Sequence, residues 1–202
     1  MSNTAILLLA AGASSRMGSA DKLLQPVAGQ ALLARMLARA GATGRPVLVA
    51  LPGPGHARAA ILGDSGACPV WVANAAEGMA ASIRAGIAAL PEGCTGVMIL
   101  PADMPELTAE DLAIMLDTFD TAPPPRPILR ATDARGVPGH PVVFPPDLFA
   151  ALRDLRGDAG ARGVIAAHRA RLRLLPLPGR HATTDLDTPE DWARWRAQGD
   201  LP

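Results

Sequence analysis

One rhythm governs the first half of this chain: short, uniformly apolar runs alternate with segments whose apolar residues recur at helical spacing. "TAILLLA" (Thr4 to Ala10) is followed by "QALLARMLARA" (Gln30 to Ala40), in which Leu32, Leu33, Met36 and Leu37 fall on one helical face, and then by "PVLVAL" (Pro46 to Leu51). A weak helix beyond Pro54 leads to the strand "PVWVA" (Pro69 to Ala73), the helix "MAASIRAGIAAL" (Met79 to Leu90) and the strand "TGVMIL" (Thr95 to Leu100). Strands without a polar face need cover on both sides, and strands joined through helices run parallel. The pattern predicts an α/β fold: a Rossmann-like, mostly parallel mixed sheet with helices on both faces.

The second half is less regular. "TAEDLAIMLDTF" opens on Thr108 with Glu110 and Asp111 in its first turn, as helix N-termini do. "TAPPPRP" (Thr121 to Pro127) cannot be helix or central strand and reads as a loop. Then come a strand "ILRAT", a turn "DARGVPG", a strand "HPVVF", two short helices, a strand "LRLLPL" and a closing helix from Pro189. We expect the first ~120 residues to form the nucleotide half of an open sheet and the rest to build the far side of a cleft beyond the strands' carboxyl ends.

Residues 1–202 read as a single domain. Hydrophobic residues make up 49% and the formal net charge is zero, which is ordinary globular composition and gives no support to a nucleic-acid partner. Cys68 and Cys94 have neither C-x-x-C nor zinc-ligand spacing, so they read as inert thiols, and the four histidines have no zinc-ligand spacing either. The first apolar stretch falls far short of the ~20 residues a bilayer crossing needs. The expectation is a cytoplasmic protein without a membrane partner.

The loop after the first strand, "GASSRMGSADKLL", is a glycine turn that runs into two cations, Arg16 and Lys22. Backbone N–H groups exposed at such a turn face anions well. The spacing matches neither a P-loop nor a dinucleotide fingerprint. A guanidinium fork and a mobile ammonium suit a triphosphate and a departing pyrophosphate; a merely solvated turn fits the loop alone equally well.

Taken whole, "LLAAGASSRMGSADKLL" resembles the opening of the MobA/MocA-like nucleotidyltransferases, which cap the molybdenum cofactor with a nucleotide. Five further blocks are similar to that family and fall in its order: "EGMAASIRAGI", "LPADMPELT", "GHPVVFPPDLF", "LRGDAGAR" and "DLDTPED". The resemblance covers essentially the whole chain and implies a sheet of the nucleotide-diphospho-sugar transferase type. It implies catalytic roles for Arg16, Lys22 and Asp103, and a nucleotide site that adds Leu9, Ala10, Ala11, Gly12, Asn74, Gly78 and Ser82. Ser82 also lies in an ordinary helical pattern with Ile83 and Ile87 inward.

Asp103, directly after the most apolar strand, is placed to hold Mg²⁺, with Asp187 as a second carboxylate. Asp187 or Thr188 would equally serve to cap the last helix, and guanylyl-transferring relatives often carry asparagine in this block. His140, Asp158 and Arg162 are implied on the acceptor side, with a structural histidine as the other reading of His140.

The implied reaction moves CMP from CTP to the terminal phosphate of a molybdopterin-type acceptor, with a client molybdoenzyme or its chaperone downstream. GTP as donor, a sugar-phosphate or isoprenoid-precursor acceptor, and a non-catalytic cofactor carrier are the alternatives. Cytosine is favoured because Ala11 stands where guanylyl-transferring members typically have glycine.

Overall fold

The computed structural model describes residues 3–18 and 20–199; residues 1–2 and 200–202, the margins of the expected domain, and Ser19 lie outside them. Among the described residues nine strands form: β1 (Thr4–Leu9), β2 (Pro26–Val27), β3 (Gln30–Ala31), β4 (Val47–Leu51), β5 (Cys68–Trp71), β6 (Gly96–Pro101), β7 (Ile128–Thr132), β8 (Pro138–Phe144) and β9 (Leu172–Pro176). The helices are α1 (Leu32–Gly41), α2 (Met79–Ala88), α3 (Ala109–Thr121), α4 (Phe149–Arg153), α5 (Arg162–Ala167) and α6 (Pro189–Ala197).

Seven strands make one sheet in the order β5-β4-β1-β6-β8-β7-β9, with β2 and β3 as a separate hairpin. β1 pairs in parallel with β4 and β6, β4 with β5, and β7 with β9. β8 is antiparallel to both its neighbours, β6 and β7. This is the expected mixed, mostly parallel sheet.

Alternate residues of β1 supply two cores. Ile6 and Leu8 join the layer under α1, α3 and α6, where Met36, Leu112, Phe119 and Trp192 are buried. Ala5 and Leu7 face the layer under α2, α4 and α5, with Ile83, Ile87, Leu152 and Val164. The two-residue period of a strand thus feeds both faces of the sheet. Thr108 and Thr188 each begin a helix through a reciprocal capping box, with Asp111 and Asp191 respectively.

Two local readings change. The helix expected from Gln30 starts at Leu32, because Pro26–Ala31 folds as a hairpin through Ala28 (φ 47°) and Gly29 (φ 84°). Two consecutive positive φ angles match the twist that two-residue hairpins prefer. The weak helix after Pro54 is a 3₁₀ segment, Ala57–Leu62.

Candidate active site

β1 and β6 end side by side at the lip of the sheet, and Ala102 N–H donates to the Leu9 carbonyl at 3.1 Å. Past β1 the chain turns through Ser14, held at φ 52°, into a 3₁₀ turn (Ser15–Met17) that carries Arg16. Asp21 then caps a second 3₁₀ turn, Lys22–Leu24, by accepting from Leu23 N–H at 3.0 Å. Past β6 the chain presents Asp103. The segment before α6 is tied to it by Leu186 N–H donating to the Asp103 carbonyl at 3.1 Å, which brings Asp185 and Asp187 to the same lip.

Four residues singled out in the sequence converge here. Lys22 Nζ lies 2.5 Å from Asp103 Oδ2 and 2.5 Å from Asp187 Oδ1, and Arg16 Nη1 lies 2.5 Å from Asp187 Oδ2. Burial lowers the Lys22 pKa, but the two carboxylates more than offset it and hold the ammonium above its ordinary range. Burial, then the charges of Asp103 and Asp187, raise the carboxyl of Asp185. Thr188, not Asp187, caps α6, so the Asp187 carboxylate is free to face the lysine.

Asp103 Oδ1 is buried and has no hydrogen-bond partner. Among the described residues no group of three or more His, Cys, Asp or Glu side chains is arranged to hold a metal. Mg²⁺ does not require one: it is commonly held by one or two carboxylates and completes its octahedron with water and phosphate oxygens. The orphaned oxygen of Asp103 beside Asp187 fits that mode.

The lip opens into a cleft of about 850 Å³. Among the residues expected at the nucleotide, Leu9, Ala11, Gly12, Gly78 and Ser82 line it, and so do His140, Asp158 and Arg162, expected at the acceptor. Gly78 and Asp158, both lining it, are in contact. At Gly78, φ is 101° and a Cβ would fall 1.6 Å from Asp158 Oδ1, so only glycine allows this approach. Two residues expected at the nucleotide site stand elsewhere. Ala10 is buried in the core beneath the loop, and Asn74 is exposed, ahead of the 3₁₀ turn Ala75–Glu77, without lining the cleft.

His140 donates its backbone N–H to the Ala182 carbonyl at 2.9 Å, while its Nδ1 is buried without a partner. Burial, then the Arg130 charge, push its pKa down to about 4, so the imidazole is neutral near pH 7. Arg130 itself was not singled out in the sequence. It stands in β7, donates Nε–H to the Gly139 carbonyl at 3.0 Å, and lines the cleft with Arg162. The visible signal was one arginine inside the apolar run "ILRAT". Asp185, in the same "DLDTPED" block as Asp187, was likewise passed over.

A Rossmann-like sheet whose lip carries paired cations and carboxylates above a large cleft defines a nucleotidyltransferase. The chain belongs to the MobA-like NTP transferase family, whose domain model matches residues 6–172. Phosphoenolpyruvate guanylyltransferase of Rubrobacter xylanophilus is 33% identical over 197 residues, which span 93% of this chain and 89% of that protein. Among solved structures, Rv0371c of Mycobacterium tuberculosis H37Rv superposes with a TM-score of 0.82 at 28% identity, covering 96% of this chain and 97% of that one. Its complex with manganese superposes with a TM-score of 0.80 at 26% identity, covering 96% and 97%. Among the described residues no helix is long and apolar enough to cross a membrane.

Proposed function

We propose that the protein transfers CMP from CTP to the terminal phosphate of a molybdopterin-type acceptor and releases pyrophosphate. The observation that carries this reading is Lys22, shared between Asp103 and Asp187 at the edge of a cleft of about 850 Å³. In the reaction an acceptor phosphate oxygen forms a bond to the α-phosphorus. The bond from that phosphorus to the bridging oxygen breaks, and its electron pair leaves with pyrophosphate. A phosphate monoester has its second pKa near ~6, so the nucleophile is already anionic at neutral pH and needs no general base. His140, neutral and buried, is in keeping with that economy.

The main obstacle is repulsion between two polyanions, which makes positioning and charge neutralisation the principal work. Arg16 and Lys22 exchange their carboxylate partners for phosphate oxygens. Asp103 and Asp187 would hold Mg²⁺, which when bound neutralises phosphate charge; the similar protein Rv0371c forms a complex with manganese, which supports the use of a divalent metal. Leu9, Ala11, Gly12, Gly78 and Ser82 form the nucleotide wall, and His140, Asp158 and Arg162 receive the acceptor. After transfer, the capped cofactor passes to a client molybdoenzyme or its chaperone.

A second reading, guanylyl transfer to phosphoenolpyruvate, is favoured by the 33% identity to an enzyme of that name over 93% of this chain. The chemistry is the same, since phosphoenolpyruvate is also a phosphate monoester. Pyrophosphate release measured with each donor, CTP or GTP, against each acceptor, molybdopterin or phosphoenolpyruvate, separates the two. Turnover only with phosphoenolpyruvate would sink the molybdopterin assignment, and nucleotide binding without pyrophosphate release would favour a non-catalytic carrier.

A further inference from the structure

Arg58 has no place in the chemistry described above, yet it is one of the largest fully buried side chains, 1% exposed. It stands in the 3₁₀ segment between β4 and β5 and reaches under the loop that follows β1. Nη1 donates to the carbonyls of Ala10 and Gly12, each at 2.7 Å. Nη2 donates to Ser14 Oγ at 2.9 Å and Asp21 Oδ1 at 2.7 Å, and Nε donates to Asp21 Oδ2 at 2.7 Å. A guanidinium has five N–H donors, and each has an acceptor here. Every acceptor belongs to the one loop.

Those acceptors sit beside the loop's two working turns. Ser14 precedes the turn that carries Arg16, and Asp21 caps the turn that carries Lys22. Burial would raise the Asp21 carboxyl, but the Arg58 guanidinium holds it below its ordinary range, so Asp21 faces the fork as a carboxylate. A planar fork that holds both ends of a loop fixes the distance between them, whereas an ammonium at the same place would supply charge without that geometry.

We propose that Arg58 is a positioning residue for the triphosphate: it touches no substrate and acts by holding Arg16 and Lys22 toward the carboxylate lip. The inference rests on the nucleotidyl-transfer reading.

The experiment is calorimetric titration of CTP and of GTP, each with Mg²⁺, into the wild type, Arg58→Lys, Lys22→Ala and the double variant, with near-ultraviolet circular dichroism as the fold control. Arg58→Lys is expected to keep its spectrum and to weaken nucleotide binding about tenfold or more; in that background Lys22→Ala costs less than about twofold further, because the ammonium is already misplaced. In steady state the Arg58→Lys variant raises KM for the nucleotide and leaves KM for the acceptor unchanged, a split that a general loosening of the cleft does not produce.

Arg58→Lys binding within about twofold of wild type, or losses that simply add in the double variant, overturns the proposal. If Arg58→Lys does not fold, Asp21→Asn carries the test, and unchanged nucleotide affinity there overturns it equally. A wild type that binds neither nucleotide strikes instead at the nucleotidyl-transfer reading, so the two failures are distinct.

Discussion

Leu186 donates its backbone N–H to the carbonyl of Asp103 at 3.1 Å, and this bond sets two acid-bearing segments against each other at the lip of the sheet. Their carboxylates are not equivalent. The Asp103 side chain is 17% exposed with one oxygen buried and unpartnered, whereas Asp187 is 30% exposed and both its oxygens are engaged, by Lys22 and Arg16.

Under the proposed metal role, Asp103→Asn should fold normally and lower kcat by about a hundredfold or more, since an amide cannot supply the charge that would hold the metal. Asp187→Asn should be less damaging. Pyrophosphate release measured across a Mg²⁺ titration checks the order, and a reversed ranking would make Asp187 the principal ligand.

The two cations should differ as well. Lys22 is 13% exposed and Arg16 is 69% exposed on their side chains. An exposed pair is screened by water and worth little, while charges desolvated on binding are worth more. Lys22→Ala should weaken nucleoside triphosphate binding more than Arg16→Ala, with a combined effect on the order of 2–5 kcal/mol. Calorimetry that finds unchanged affinity in both variants would reduce the loop to a solvated turn.

What could be read in advance, and what could not, follows from the range of each interaction. β1, β4 and β6 were legible because burial on both faces leaves an uninterrupted apolar run. The direction of β8 was not, since "HPVVF" reads alike in either sense and its direction depends on pairing with distant strands. The β2–β3 hairpin went unseen because Ala28-Gly29 lacks the asparagine or aspartate that usually marks two positive φ angles. Arg16 and Lys22 stood out in the loop after β1, and the resemblance pointed to Asp103 and Asp187; that Asp187 meets Asp103 depends on the Leu186–Asp103 bond, which no local pattern shows. Arg58 gave no local sign, for its partners lie between 37 and 48 residues earlier in the chain.

His140 supplies a prediction in pH. Its folded pKa of about 4 lies below the ordinary histidine value, through burial first, then the Arg130 charge, with Asp103 opposing and Arg162 adding. A depressed histidine favours folding fully above its unfolded pKa of ~6.5, and that contribution is lost as pH falls toward the folded value. The loss should reach roughly 3 kcal/mol once both states are protonated. Urea unfolding of wild type and His140→Gln at pH 7 and at pH 4.5 tests it: the variant should show the shallower fall, and parallel falls would count against the assignment.

Gly78 supplies one in geometry. Its φ of 101° strains any L side chain, and an added Cβ would meet both Oδ1 of Asp158 at 1.6 Å and the Asp158 Cα at 3.1 Å. Gly78→Ala should destabilise the protein by about 1–3 kcal/mol and distort the start of α2, where Ser82 lines the cleft. Adding Asp158→Ala should recover only part of the loss, because the backbone strain stays. Thermal melts of the single and double variants would decide, and full recovery would mean that side-chain contact alone was at fault.

The last prediction concerns the choice of base. Ala11 is 3% exposed, packs in the layer of Leu48, Ala50 and Val70, and lines the cleft where β1 runs into the loop. Its methyl group is therefore seated on a rigid wall and cannot swing aside for a larger ligand. If that wall borders the base, the methyl takes space that a purine needs, while a pyrimidine still fits. Steric exclusion of this kind is worth about 1–3 kcal/mol, or roughly ten- to two-hundredfold in preference. The expected outcome is a higher kcat/KM for CTP than for GTP or ATP, with Ala11→Gly moving the ratio toward GTP. The kinship to a guanylyltransferase at 33% identity pulls the other way, which makes the comparison decisive. A wild-type preference for GTP, or a ratio that Ala11→Gly leaves unmoved, would show that the base is read elsewhere, with Ser82, which also lines the cleft, as the next residue to vary.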